Sequence, residues 1–338
     1  MKKTILTILQ VVVTLGILVW IFHDPHKRAD MFDKLRHGNP FWVFIGIGAY
    51  GIVEILAAAR WQILLRVQGI RIGWLRLGSL LMIGIFFNQF MPGGTGGDVV
   101  KIFYLLKETP GKKAQALLAV LIDRVIGLVG LILLTGLIIS QRYEWLQQTE
   151  ITKNLTWTLL AILGASLGGV AVSFALTGLG LVHRLPARMP FREKLVELSV
   201  AYNLYARAWR ASLLAIGVSI GVHLGSFTVF YAAARALRVS IPLIDFAAVM
   251  PIINTLASLP ISVGGTGVRE GLFQALLSGL CGVREADAVV ISLTGFAMIL
   301  FWGVVGGVIY LFYRPSEHAR LRDIKKTVAE LEHEIAAE

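Results

Sequence analysis

The sequence predicts an all-α polytopic integral membrane protein. Its expected plan is an inverted repeat of two helix–re-entrant hairpin–helix units plus extra spanning helices. Three observations predict this. The chain is 56% hydrophobic and only 16% charged, whereas a soluble protein carries about a quarter charged residues. Its apolar residues come in long runs separated by basic loops, and backbone in lipid must bond internally, so the runs are helices. Gly-Gly-Thr-Gly occurs twice, at 93–96 and 264–267, each time inside an apolar run, with Thr266 about half the chain beyond Thr95. Matched breaks in matched halves mark discontinuous helices of an internally repeated membrane protein.

The first apolar run covers 4–22. It follows Met1-Lys2-Lys3 as a signal peptide would, but it is too long, and His23-Asp24-Pro25-His26 offers no small-residue cleavage site, so it reads as a retained span. Further spans fall at 40–58, 115–139, 154–179, 211–233 and 287–313. The segments 74–107 and 242–280 are too long for one crossing, and Pro and Gly cut each in the middle. The loop 59–76 carries Arg60, Arg66, Arg71 and Arg76. The segment 182–210 carries Arg184, Arg188, Arg192, Lys194, Arg207 and Arg210, and the tail carries Arg314, Arg320, Arg322, Lys325 and Lys326. The positive-inside rule puts all three in the cytoplasm. The alternation then requires 74–107 to enter and leave from the cytoplasm and 242–280 from the outside. The loop 23–39, with Lys27, Arg28, Lys34 and Arg36, dissents, being basic yet external.

The repeats therefore cover 40–139 and 211–313, within a membrane domain over 1–313. The register extends past the breaks: Asp123 stands as far beyond Thr95 as Thr294 stands beyond Thr266. Residues 182–210 join the halves, and Phe191, Leu195, Leu198, Tyr202 and Tyr205 among bases predict an amphipathic surface helix there. In the cytoplasmic tail 314–338, Leu321, Ile324, Val328, Leu331 and Ile335 make a heptad seam of about two heptads, a packed helix or a short homodimer contact. Trp42, Trp61, Trp145 and Trp209 near span ends read as interface anchors. The expected location is the bacterial inner membrane, multi-pass, with both termini cytoplasmic.

The breaks carry the chemistry. Pro92 and Pro260 remove a backbone donor and end the helices before them. Half-helices that start again inside the membrane aim N–H groups and a partial positive charge inward, where they bind anions such as phosphate. At the first break the candidate binding residues are Asn88, Gly93, Gly94, Thr95, Gly96, Asp98 and Lys101, with Asp123 and Arg124 on the following span. At the second they are Gly264, Gly265, Thr266, Gly267, Arg269 and Glu270. Lys101, Arg124 and Arg269 are the phosphate candidates, because charge within a bilayer is costly and is usually functional. Arg124→Ala and Arg269→Ala are expected to slow transport without unfolding the protein. Glu54 and His223 are candidates for coupling, and a hydrogen-bonded packing role fits His223 better. The counterpart of Asp123-Arg124 is Leu293-Thr294-Gly295, which carries no charge, so the first half is expected to hold more of the charge.

The net charge of +11 sits mostly in short loops, which speaks for anionic head groups rather than nucleic acid. Cys281 is the only cysteine, which excludes an intrachain disulfide and a cysteine-clustered zinc site. No metal and no cofactor is expected, and no nucleotide-binding motif is present.

Ala59-Arg60-Trp61, Leu64-Leu65, the run from Asn88 to Asp98, Asp123-Arg124, Leu259-Pro260 and the run from Gly264 to Gly271 resemble the lysylphosphatidylglycerol synthase transmembrane-region family, also called flippase-like or UPF0104 proteins. The resemblance covers about residues 5–313. It implies the membrane half of the bifunctional synthases, which translocates an aminoacylated lipid made by a separate soluble domain; only the tail 314–338 follows the last span here. The expected function is translocation of an anionic or phosphate-bearing lipid, an aminoacyl-phospholipid or a polyprenyl-phosphate-linked glycolipid, through a midplane site between the hairpins. A separate lipid-modifying enzyme is an expected partner. A membrane-embedded lipid or sugar transferase, with Asp98 or Glu270 as acid–base group, and an accessory subunit of a lipid-modifying complex are the other readings.

Overall fold

A computed structural model describes residues 33–34, 36–90, 96–109, 112–178, 204–259, 262 and 265–313. Span 4–22, Gly93, Gly94, Thr95 and Gly264, most of the linker 182–210, and the heptad tail 314–338 lie outside the described residues. The described elements are α1 (Pro40–Val67), α2 (Trp74–Phe90), α3 (Gly96–Glu108), α4 (Lys113–Leu146), α5 (Glu150–Gly178), α6 (Trp209–Ala236), α7 (Leu243–Ala257), α8 (Val268–Cys281) and α9 (Glu285–Phe312). All are helices. Among the described residues five stretches are long and apolar enough to cross a membrane: Pro40–Val67, Gln115–Leu146, Glu150–Val172, Trp209–Ala236 and Glu285–Phe312. Large apolar side chains such as Phe44, Ile55, Leu137 and Val304 stay exposed on their outer faces, as lipid contact requires.

Each expected span among the described residues is present, with shifted ends. Asn39 caps α1, its side chain accepting from the Phe41 amide at 3.0 Å, and Pro40 occupies the first turn. The helix then runs on to Val67, past the expected end at 58. Arg60 and Trp61 are therefore not loop residues: both are buried in α1, and Trp61, fully enclosed, is no interface anchor. The segments 74–107 and 242–280 are helix–break–helix hairpins, α2–α3 and α7–α8, as their central Pro and Gly dictate.

Small residues let the helices approach. α1 and α6 form the most extensive pair, where Gly225 of α6 lies against Val53 and Gly46 of α1 lies near Ala232. One buried cluster surrounds α7–α8 and draws on α4, α5, α6 and α9. A second surrounds α2–α3 and draws on α1 and α4.

Contacts sort the element ends onto two faces. On one face the Asn39 amide donates to the Ala236 carbonyl at 2.7 Å, Lys34 meets Asp287 at 3.5 Å, and Arg142 pairs with Asp245 at 2.9 Å. Asp245 opens α7 and lies close to the thiol of Cys281, which closes α8. On the other face Lys112 donates to the Gly69 carbonyl at 2.8 Å, Tyr205 to the Leu64 carbonyl at 3.0 Å, and Arg76 to Glu108 at 2.5 Å. Each hairpin thus returns to the face where it starts.

Candidate functional site

The first break assembles a charge cluster from three helices. α2 and α3 meet in close backbone contact: a methyl group on Gly97 would overlap the Gly84 carbonyl oxygen. Asn88 of α2 ties the two arms together, its side-chain oxygen accepting from the Gly97 amide at 2.9 Å. Gly96 opens α3, and Asp98 sits in its first turn, where an acid is favoured by the helix dipole. Asp98 pairs with Arg124 of α4, whose side chain keeps 56% of its surface exposed.

One turn deeper lies the buried part. Arg60 of α1 makes a forked contact with Asp123 of α4, Nε to Oδ1 at 2.8 Å and a terminal nitrogen to Oδ2 at 3.2 Å. Its other terminal nitrogen donates to Ser219 of α6 at 3.0 Å. Lys101 of α3 is only 5% exposed. Its ammonium stands 3.9 Å from the Trp61 ring centroid and 4.0 Å from Asp123 Oδ2. Neither contact is a hydrogen bond, although an ammonium carries three donors. Glu54, also buried, lies within electrostatic range of Lys101 and Arg60 and beside the Tyr50 hydroxyl.

The second break holds a smaller and closed arrangement. Gly265 and Gly267 adopt φ of 74° and 87°, a region open to glycine. Gly267 caps α8, its amide donating to Glu270 Oε2. Glu270 Oε1 accepts from Arg269 at 2.8 and 3.0 Å and from Ser292 of α9 at 2.8 Å. The Arg269 guanidinium also faces the Phe296 ring at 4.1 Å. Thr266 lies half-buried between the two glycines. Among the described residues no hydrogen bond or ion pair joins the two arrangements.

The structure therefore brings Glu54, Asp98, Lys101, Asp123 and Arg124 together and places Arg269 and Glu270 elsewhere, as mutual partners. Arg269→Ala, expected to leave the fold intact, would strip the cation from a fully buried carboxylate. His223 donates to the Gly127 carbonyl at 3.0 Å, a packing contact between α6 and α4. At the Leu293-Thr294-Gly295 counterpart, Gly295 faces the Phe230 ring, and the Thr294 hydroxyl has no hydrogen-bond partner among the described residues. Sequence reasoning missed Arg60, Trp61, Ser219 and Ser292 as site residues. For α1 the available signal was Trp61, Leu64 and Leu65 at helical spacing, which carries the span past 58. Among the described residues no three or more His, Cys, Asp or Glu side chains are grouped to hold a metal ion.

Comparison with known proteins places this architecture. Residues 7–307 match the family described as lysylphosphatidylglycerol synthase TM region. UPF0104 membrane protein PH1989 of Pyrococcus horikoshii is 22% identical over 92% of this chain and 97% of its own. A UPF0104 membrane protein of Methanothermobacter thermautotrophicus is 25% identical over 81% of this chain and 87% of its own. The chain is a multi-pass membrane protein that belongs to the lysylphosphatidylglycerol synthase TM-region family.

Proposed function

We propose that this protein moves a phosphate-bearing lipid across the membrane, with Lys101 and Arg124 receiving the phosphate. The observation that carries this reading is the buried Lys101 ammonium, which has no hydrogen bond among the described residues. A charge inside a bilayer needs a compensating group, and a phosphate oxygen offers Lys101 the acceptors it lacks. Arg124 lies about 16 Å along α4 from its start at Lys113, near the middle of a hydrocarbon core about 30 Å thick. Asp98 holds it at the same break, half-exposed and able to make a forked contact with phosphate. Asp123 and Arg60 fix the site, Glu54 is the group placed to carry a coupled proton, and Arg269 with Glu270 builds the second break.

Alternating access is proposed to arise from two units of opposite sense, α1–α4 and α6–α9, that rock against each other. Helix contacts support the pairing. α2 packs on α9 as α7 packs on α4, and α1 and α6 face one another. With the basic segments inside, the protein lies in the plasma membrane with both termini cytoplasmic. An aminoacyl-phospholipid or a polyprenyl-phosphate glycolipid has the required chemistry.

The test is reconstitution into vesicles with labelled phosphatidylglycerol, its lysyl ester, and a polyprenyl phosphate. At least one should cross faster than in protein-free vesicles. Lys101→Met should slow it at least ten-fold with an unchanged unfolding temperature. If no lipid crosses faster than in empty vesicles, the reading fails. A covalent change in the lipid, read by mass spectrometry, would instead assign a transferase.

A further inference from the structure

A groove of about 580 Å³ opens between α1, α2 and α9. Its walls include Ile55, Trp74, Met82, Trp302 and Ile309, and Glu54 is the one carboxylate among the described residues that line it. Gly48 and Gly78 hollow it. A Cβ at either would meet nothing within 4 Å, so each missing side chain leaves open space rather than a helix contact. Leu75 and Ile309 also line a second cavity, of about 420 Å³, which continues the groove to the end of α9. Arg76, Ser79 and Tyr313 line this mouth, and the Arg76 side chain is 52% exposed.

We propose that this groove seats one hydrocarbon chain of a phosphate-bearing lipid, with the phosphate at the mouth beside Arg76. The interior excludes a head group, because sugar or amino-acid polar groups would lose hydrogen bonds to water and find almost none here. From Phe312 back to Trp302 the groove follows α9 for about 15 Å, half of the hydrocarbon thickness and so the depth of one leaflet. The mouth supplies charge complementarity. Arg76 pairs with the buried Glu108 and still leaves about half of its side chain exposed at head-group level, near the exposed Phe312. The groove thus extends the transport reading, on which it rests: it holds the lipid in one leaflet, tail inside and phosphate at Arg76, before the phosphate passes inward to Lys101 and Arg124.

The experiment uses the full chain in vesicles containing phosphatidylglycerol with a diazirine near the end of one acyl chain. Light should cross-link it to residues at the inner end of the groove, Met82 of α2 and Trp302 of α9 among them. Gly78→Leu and, separately, Gly48→Leu fill the groove and should cut this labelling at least five-fold. Their unfolding temperatures in detergent report whether the fold survives, and either variant that folds suffices. Arg76→Gln should lower phosphatidylglycerol labelling to the level given by diacylglycerol with the same diazirine chain. Unchanged labelling in both leucine variants, or equal labelling of wild type by both lipids, overturns the groove. Lost labelling with transport intact defeats the groove's part in transport alone. Intact groove labelling with no lipid crossing defeats the transport reading and leaves the groove standing.

Discussion

Glu270 and Lys101 are both buried charges beside a Gly-Gly-Thr-Gly break, yet their surroundings assign them opposite work. Glu270 has every lone pair it can use engaged: the Gly267 amide, Arg269 twice, and Ser292. A carboxylate so satisfied is structural, and removing its cation leaves an uncompensated charge. Arg269→Ala should therefore destabilise the protein by about 3–5 kcal/mol. Arg269→Met with Glu270→Leu, which removes both charges together, should recover much of that loss. Thermal unfolding in detergent checks both, and a single variant as stable as wild type would contradict the assignment. Lys101 is the converse, buried with its donors unanswered among the described residues, so its replacement should affect transport more than stability. The sequence marked both residues as charges in apolar surroundings but could not divide them, because the division depends on Ser292 and Trp61, supplied by other helices. Arg60 was hidden for a related reason. A base at the end of an apolar run looks like a loop residue until its partner, 63 positions later at Asp123, is brought beside it.

The hairpins were legible as elements because proline and glycine leave a helix few options. What their spacing did not show is how closely the arms meet. On α2, Gly84 and Gly78 have contrary uses. Gly84 lets Gly97 approach its carbonyl, whereas Gly78 faces the open groove. Gly97→Ala must push α3 away from α2 and disturb the Asn88 contact, an overpacking that costs about 1–3 kcal/mol. Gly78→Ala has space for its methyl group and, in mid-helix, should be neutral or stabilising by up to about 1 kcal/mol. The pair, compared by unfolding temperature, should diverge; equal losses would mean that the close arm contact does not hold the hairpin. The ends of spans were the least legible part. α1, α4 and α6 all outrun their apolar cores, because the last turns are held by specific contacts such as Tyr205 to the Leu64 carbonyl rather than by hydropathy. Burial pushes the Tyr205 phenol up to about 12, so this donor keeps its proton throughout the physiological range.

At the scale of the whole molecule, each hairpin is tied at its base to the last helix of the other unit. Tyr313, at the end of α9, donates to Glu108 Oε1 at 2.9 Å, and Arg76 holds the other oxygen of that carboxylate. Across the membrane Arg142, near the end of α4, pairs with Asp245 at the start of α7, and α4 departs from helical geometry at Arg142 itself. Tyr313 stands as far beyond Arg142 along the chain as Thr266 stands beyond Thr95, so the clasps share the separation of the two Gly-Gly-Thr-Gly breaks. Two matched clasps on opposite faces are what a rocking pair of units requires, since opening one face must break one clasp and leave the other. Tyr313→Phe removes the hydroxyl at one clasp, and Arg142→Ala removes the cation at the other. In a Cys281→Ser background, Thr266→Cys reports access to the second break through an impermeant maleimide added to one side of sealed vesicles. From the face carrying Asp245, Arg142→Ala should raise the labelling rate several-fold and Tyr313→Phe should lower it. Labelling from the opposite face should show the reverse order. The sign is the informative quantity: a clasp that merely stabilises the fold would shift labelling in one direction from both faces, and that result would make the clasps struts rather than gates.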